Sequence, residues 1–394
     1  MQEEHLIQNK KTKSAISWLS AGHFMNDVYT GFVNPIMPYI AEHLGFALPI
    51  ATLVLSISNI FSSMLQPLFG FFADNMLKRM FIFWGLILTS VFIPLMPLAP
   101  SVYVLVLFVI LGSLGSSFFH PQSSGFVSKF AGTDDSGARK MGVFISMGSL
   151  GFAFGPLIAT GITQYFDMSI MPLTSLLGLT LAFSMFACVP KLSNIYPQPK
   201  HIKFKETFVT ILKNKTMNLL MLISMMKVFV TTSCCTLLPF LWKNEMHYSP
   251  MYIGTALFLF VLAGGIGSWT SRSIEVALGT KKLLYFSMIA TLPMILVFHY
   301  TYKLHPIFSL ITFVIIGYTT MLAQPVTMVM GQKILPQYKS IVAGFMNGFA
   351  WGIVAVCLSF IGLCAEKFGI TNVLIILSVM PAISSYVVKY LKEE

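Results

Sequence analysis

Charge is scarce in this chain. Only 10% of its 394 residues are charged, 14 Asp and Glu against 25 Lys and Arg. Soluble domains carry roughly 25% charged residues, and so few polar groups cannot cover a water-soluble globule of this size. Cysteine is sparse too: Cys188, Cys357 and Cys364 lie in apolar runs, and the adjacent Cys234 and Cys235 lack the spacing of a disulfide framework or metal site. Inert buried thiols are expected. No Gly-x-x-x-x-Gly-Lys-Ser/Thr phosphate loop occurs, so ATP is not the evident energy source. With no His-Glu-x-x-His and no closely spaced Cys/His set, neither a metal site nor a zinc enzyme is expected.

What is present is apolar sequence, 56% of the chain. A bilayer core of ~30 Å needs about 20 mostly apolar residues per helix, and twelve such runs are bounded by charges or Pro/Gly clusters. They cover residues 16–41, 49–72, 80–99, 101–126, 140–164, 171–190, 216–241, 251–271, 281–300, 305–331, 340–364 and 371–391. In lipid such segments must satisfy their own backbone hydrogen bonds, which predicts an all-α integral membrane protein of twelve transmembrane helices. The first run carries mid-run polar groups and no small-residue cleavage site, so it does not read as a signal peptide.

The net charge of +11 acquires a meaning once it is located. With the N-terminus on the cytoplasmic side, 21 basic residues fall in cytoplasmic connections and only Lys243, Lys303 and Lys367 on the opposite face. The excess orients the protein, both termini cytoplasmic, and requires no nucleic acid. One cation remains, and Lys227 must lie inside the membrane.

The longest polar stretch, 191–215, reads as a cytoplasmic linker between six-helix bundles at 1–190 and 216–394. An offset of about 200 residues superposes Asp27 on Lys227, Met37-Pro38-Tyr39 on Leu238-Pro239-Phe240, His120-Pro121 on Gln324-Pro325, and Gly148, Gly151, Gly155 near Gly344, Gly348, Gly352. Such pseudo-symmetry marks transporters with a site near the membrane midplane between two repeats.

Asp27 is the one acidic residue deep in an apolar run, ~17 Å into the first helix at 1.5 Å per residue. A carboxylate there is costly unless paired and is a functional candidate. His23 and Asn26 precede it on the same helical face, so Asp27 and His23 are the proton-coupling candidates. Lys227 lies at the matching depth of the seventh run. It is expected either to pair with Asp27 until protonation or an anionic substrate releases the pair, or to serve as a snorkelling or structural cation. His120-Pro121 bends the fourth run and frees a carbonyl; His120 then lines a cavity or simply packs. Asn26, Tyr29, Gln122, Asn347 and Trp351 are further cavity candidates, with Met25, Asn34 and Phe119 beside them. Gly70, Asp74, Lys78 and Arg79 form a gating turn in which Asp74 latches onto basic residues. Gly151-x-x-x-Gly155-Pro156 gives the fifth run close packing and a bend.

The Gly70 to Arg79 loop resembles that of the major facilitator superfamily, and Gly155-Pro156 its antiporter motif. His23-x-x-Asn26-Asp27, Phe119-His120-Pro121-Gln122-Ser123-Ser124, Lys227 and Gly331-Gln332-Lys333-Ile334-Leu335-Pro336 resemble the fosmidomycin resistance protein group. The resemblance implies a bacterial inner-membrane, proton-driven exporter of a small organic, anionic or drug-like molecule. It works by alternating access without a cofactor, as a monomer in the lipid bilayer. An importer or dedicated metabolite or siderophore transporter on the same fold is the alternative, and an enzyme or passive channel ranks last. The second-half loop departs from the pattern: Gly267-Ser268-Trp269-Thr270-Ser271 lacks the acidic anchor, which Glu275 is left to replace.

Overall fold

The computed structural model describes residues 2–75, 79–131, 135–190, 204–335, 342 and 345–391, without the side chains of 2–13, 73–75, 131, 135–138, 204, 207 and 347. Each of the twelve apolar runs is helical there, and no strand occurs among the described residues. The first run lies in α1 (Gln2–Leu44). The second comprises α2 (Leu48–Asn59), a π-helical turn Ile60–Met64 and α3 (Gln66–Asn75). Next come α4 (Met80–Phe92), α5 (Val102–Ala131), α6 (Asp135–Tyr165) and α7 (Ser175–Cys188). A short α8 (Phe204–Lys213) precedes α9 (Lys215–Phe240) and α10 (Pro250–Leu278). The remainder are α11 (Thr280–Ile289), α12 (Thr291–Thr301), α13 (Pro306–Met321), α14 (Gln324–Ile334), α15 (Ala350–Phe368) and α16 (Ile370–Ser384).

Ten helical segments among the described residues are long and apolar enough to cross a membrane. Large apolar side chains point outward on them, Trp269 with 83% of its surface exposed and Leu176 and Leu177 with 63% each. In water that would invite aggregation, whereas lipid is their natural solvent. The chain is a multi-pass, all-helical membrane protein.

Several boundaries differ from expectation for local reasons. The polar tail before residue 16 continues α1 to Gln2, because no Pro or Gly interrupts it. The third run loses its regular helix after Phe92; Ile93 keeps helical geometry, but Pro94 has no backbone N–H to continue the ladder. Pro121 lies inside the continuous α5, whereas Pro325 sits in the first turn of α14 after a break. Within 191–215, residues 191–203 lie outside the description and Phe204–Lys213 is helical. All five cysteines are free, but only Cys234 is buried as expected; Cys235, Cys357 and Cys364 are half-buried and Cys188 is exposed at the end of α7.

The chain forms two compact units, Met1–Val33 with Phe61–Ile202 and Asn34–Ile60 with Lys203–Glu394. In the first, α4 and α5 approach through Gly85 and Gly115, where a methyl group on either would overlap the opposite backbone. In the second, Trp242 is fully buried, donates from Nε1 to Ser309 Oγ at 2.9 Å and packs edge-on against Phe313.

Candidate functional site

The first unit builds its site on one turn of α1. His23 and Asp27 are four residues apart, so both project from the same face. His23 Nε2 lies 3.3 Å from Asp27 Oδ2, and His120 Nε2, from α5, lies 3.2 Å from Oδ1. Asn26 donates from Nδ2 to Oδ1 at 2.9 Å, and that amide nitrogen is also 3.3 Å from His120 Nε2 and 3.5 Å from Ser116 Oγ. The two imidazoles meet edge to face with centroids 5.0 Å apart.

Proton bookkeeping follows from one further contact. His23 Nδ1 lies 2.8 Å from the carbonyl oxygen of Phe144 on α6. A carbonyl can only accept, so Nδ1 carries the hydrogen. A neutral ring would then turn the bare lone pair of Nε2 towards Asp27 Oδ2, and two lone pairs at that distance repel. One proton must therefore lie on the line between them, bound to nitrogen or to oxygen. His120 needs no extra proton, since a neutral Nε2–H can donate to Oδ1. Access is graded: the side chain of His120 is 24% exposed against 10% for His23 and 13% for Asp27.

The glycines of the fifth run, on α6, hold this turn in place. A methyl group at Gly148 would overlap the His23 ring, one at Gly151 the backbone of Phe24, and one at Gly155 the carbonyl of Val28. Small residues thus let α6 lie directly on α1, bringing the Phe144 carbonyl to His23. Pro156, one residue on, sits within the continuous α6 beside Gly31.

Other expected residues serve elsewhere. Tyr29 is buried, donates to the Thr174 carbonyl at 2.6 Å and accepts from the Gly178 amide at 3.1 Å, tying α1 to the start of α7. Gln122 is buried and accepts from the Ile82 amide at 2.9 Å, supplying a partner to the first turn of α4. Trp351 is half-buried on α15, and the side chain of Asn347 lies outside the description. Of the gating turn, Gly70 faces Pro121; Arg79 donates to the Val189 carbonyl and stacks 4.6 Å over the Phe186 ring. The Asp74 side chain and all of Lys78 lie outside the described residues. In the second unit Glu275 takes hydrogen bonds from Arg272 at 2.7 Å and Thr280 at 2.8 Å, joining α10 to α11.

Asp27 and Lys227, expected to pair, fall in different compact units. Both carboxylate oxygens are held by groups of the first unit, because an imidazole one turn away and another on α5 already compensate the charge. Lys227, in the second unit, is 5% exposed and its Nζ has no hydrogen-bond partner among the described residues. The hydroxyls of Thr231, Thr232, Ser233 and Thr236 are likewise unpartnered. Thr160, Thr163 and Thr320 each donate back to the carbonyl four residues earlier, so this stretch of α9 is unusual in leaving its donors open. Sequence reasoning missed Ser116, the Phe144 carbonyl and the α9 hydroxyls. The run Thr231-Thr232-Ser233 inside an apolar helix was the one available signal.

Comparison with known proteins agrees with this architecture. The family model for the Major Facilitator Superfamily matches residues 19–359. The fosmidomycin resistance protein of Escherichia coli (strain K12) is 25% identical over 367 residues, covering 92% of this chain and 89% of that protein. The uncharacterized MFS-type transporter YfnC of Bacillus subtilis (strain 168) is 22% identical over 369 residues, covering 92% and 88%. Among solved structures, a bacterial homolog of the human lysosomal transporter Spinster superposes with a TM-score of 0.79 at 12% identity, over 97% of each chain. The nucleoside transporter NupG (D323A mutant) superposes with a TM-score of 0.75 at 14% identity, over 96% of this chain and all of the other. These are transporters, not enzymes, and with a family model spanning most of its length this chain belongs to the Major Facilitator Superfamily.

Proposed function

We propose that this protein is a secondary active exporter of a small organic anion, driven by the proton gradient across a bacterial inner membrane. It needs no cofactor, works as a monomer with both termini cytoplasmic, and alternates access between two six-helix repeats, 1–190 and 216–394, joined by 191–215. The carrying observation is the one-proton geometry between His23 Nε2 and Asp27 Oδ2. A carboxylate buried at this depth is costly unless neutralised, and here the neutralising proton can leave only as its surroundings change. His120, the more exposed imidazole, is its relay. Lys227 and the open hydroxyls of α9 supply donors for an acceptor-rich, negatively charged substrate group. Fosmidomycin, the compound in the relative's name, is the first to test.

Everted vesicles with an acidified lumen test both coupling and direction. Export requires that adding the substrate outside makes protons leave the lumen. Co-movement of protons and substrate would instead indicate symport, and an undisturbed gradient despite substrate flux would remove proton coupling altogether.

A further inference from the structure

We propose that His23, Asp27 and His120 form a binding site for one late first-row divalent metal ion, of the Zn2+, Co2+ or Ni2+ class. The ligand atoms of all three lie within 4.8 Å of one another. Both His Nε2–carboxylate distances, 3.3 and 3.2 Å, match the edge of about 3.3 Å that separates two ligands of a tetrahedral ion with bonds of 2.0–2.1 Å. Each imidazole is therefore at ligand spacing from one oxygen of the shared carboxylate, His23 from Oδ2 and His120 from Oδ1.

The surroundings favour a metal in three further ways. His23 gives its Nδ1 hydrogen to the Phe144 carbonyl, the outer contact that commonly fixes the tautomer of a metal-binding imidazole and turns its Nε2 lone pair inward. Asn26 holds the carboxylate from the side through Oδ1. The His23 ring is wedged by stacking on Phe144 at a centroid distance of 4.2 Å, so it loses little freedom on binding. Two imidazoles and one carboxylate suit zinc, cobalt or nickel, whereas magnesium and calcium seek oxygen ligands. Spacing along the chain hides the set, because His120 comes from another helix 93 positions after Asp27. The inference goes beyond the proposed transport, and its test reads binding without flux.

Tag-free protein, stripped with chelator in detergent, is desalted after exposure to ZnCl2 or MgCl2 and its metal counted. About one zinc per chain and no retained magnesium is expected. His120→Ala and His23→Ala should each weaken zinc binding at least 10–100-fold, while His305→Ala, on an exposed residue, leaves it unchanged. Zinc X-ray absorption on the wild type, which needs no variant to fold, should find two imidazole ligands. No retained zinc, a zinc site without imidazole, or equal binding by His120→Ala would overturn the assignment.

Discussion

Asp27 and Lys227 stand 200 positions apart, each about midway along the first membrane run of its half of the sequence, yet their surroundings are opposite. Asp27 is enclosed by two imidazoles and an amide, all from its own unit. Lys227 is as deeply buried but has no hydrogen-bond partner among the described residues, and the hydroxyls of Thr231, Thr232, Ser233 and Thr236 on its helix are open as well. Under the proposed function the two halves divide labour: one unit would hold the exchangeable proton, and the other would keep donors for something that arrives from outside. An unpaired buried cation is costly, so its persistence points to a ligand that completes it.

Substitutions that erase one side of this contrast should have the largest consequences. Asp27→Asn keeps the shape but removes the charge that holds the proton, and substrate-driven proton movement in everted vesicles should fall to background while the protein still reaches the membrane. Lys227→Met is expected to act oppositely on stability and binding. Substrate affinity should drop about 10–100-fold, the loss of a charged hydrogen bond of roughly 1.5–3 kcal/mol. The substrate-free protein should melt several degrees higher, because an unsatisfied buried charge has gone. A parallel fall in melting temperature would mean Lys227 has a partner and the contrast is false.

A smaller effect tests the scaffold beneath Asp27. Gly148→Ala should cost about 1–3 kcal/mol by forcing α6 from the His23 ring, whereas Gly161→Ala, with open space around it, should be neutral or slightly stabilising. Thermal unfolding of the two variants separates local crowding from a general intolerance of alanine on α6. The smallest effect belongs to Glu42 and Lys243, paired at 2.7 Å in the second unit with the carboxylate 71% exposed. Lys243 holds the Glu42 carboxyl below the usual carboxylate range. Its stabilisation is therefore present at neutral pH and lost as the pH falls through that range. Glu42→Gln should change stability by less than about 1 kcal/mol and only at low salt.

The helices were legible because a bilayer leaves the backbone no alternative. The site was half legible. His23 and Asp27 share one turn, so their spacing announced them. His120 was visible as a polar residue in an apolar run, but nothing along the chain joined it to Asp27. The Phe144 carbonyl could not be read at all, since a backbone oxygen has no sequence signature. The glycines of the fifth run were recognised as a packing device, but their role in seating His23 required the approach of α6 to α1.

The central claim, that the His23–Asp27 pair holds a proton which binding displaces, is tested most directly by proton release from purified protein. A weakly buffered detergent solution with a pH indicator is mixed with saturating substrate, fosmidomycin first, and binding is verified by calorimetry. About one proton per chain should be released by the wild type and none by Asp27→Asn. Saturating binding without release, or equal release from the variant, would contradict the account.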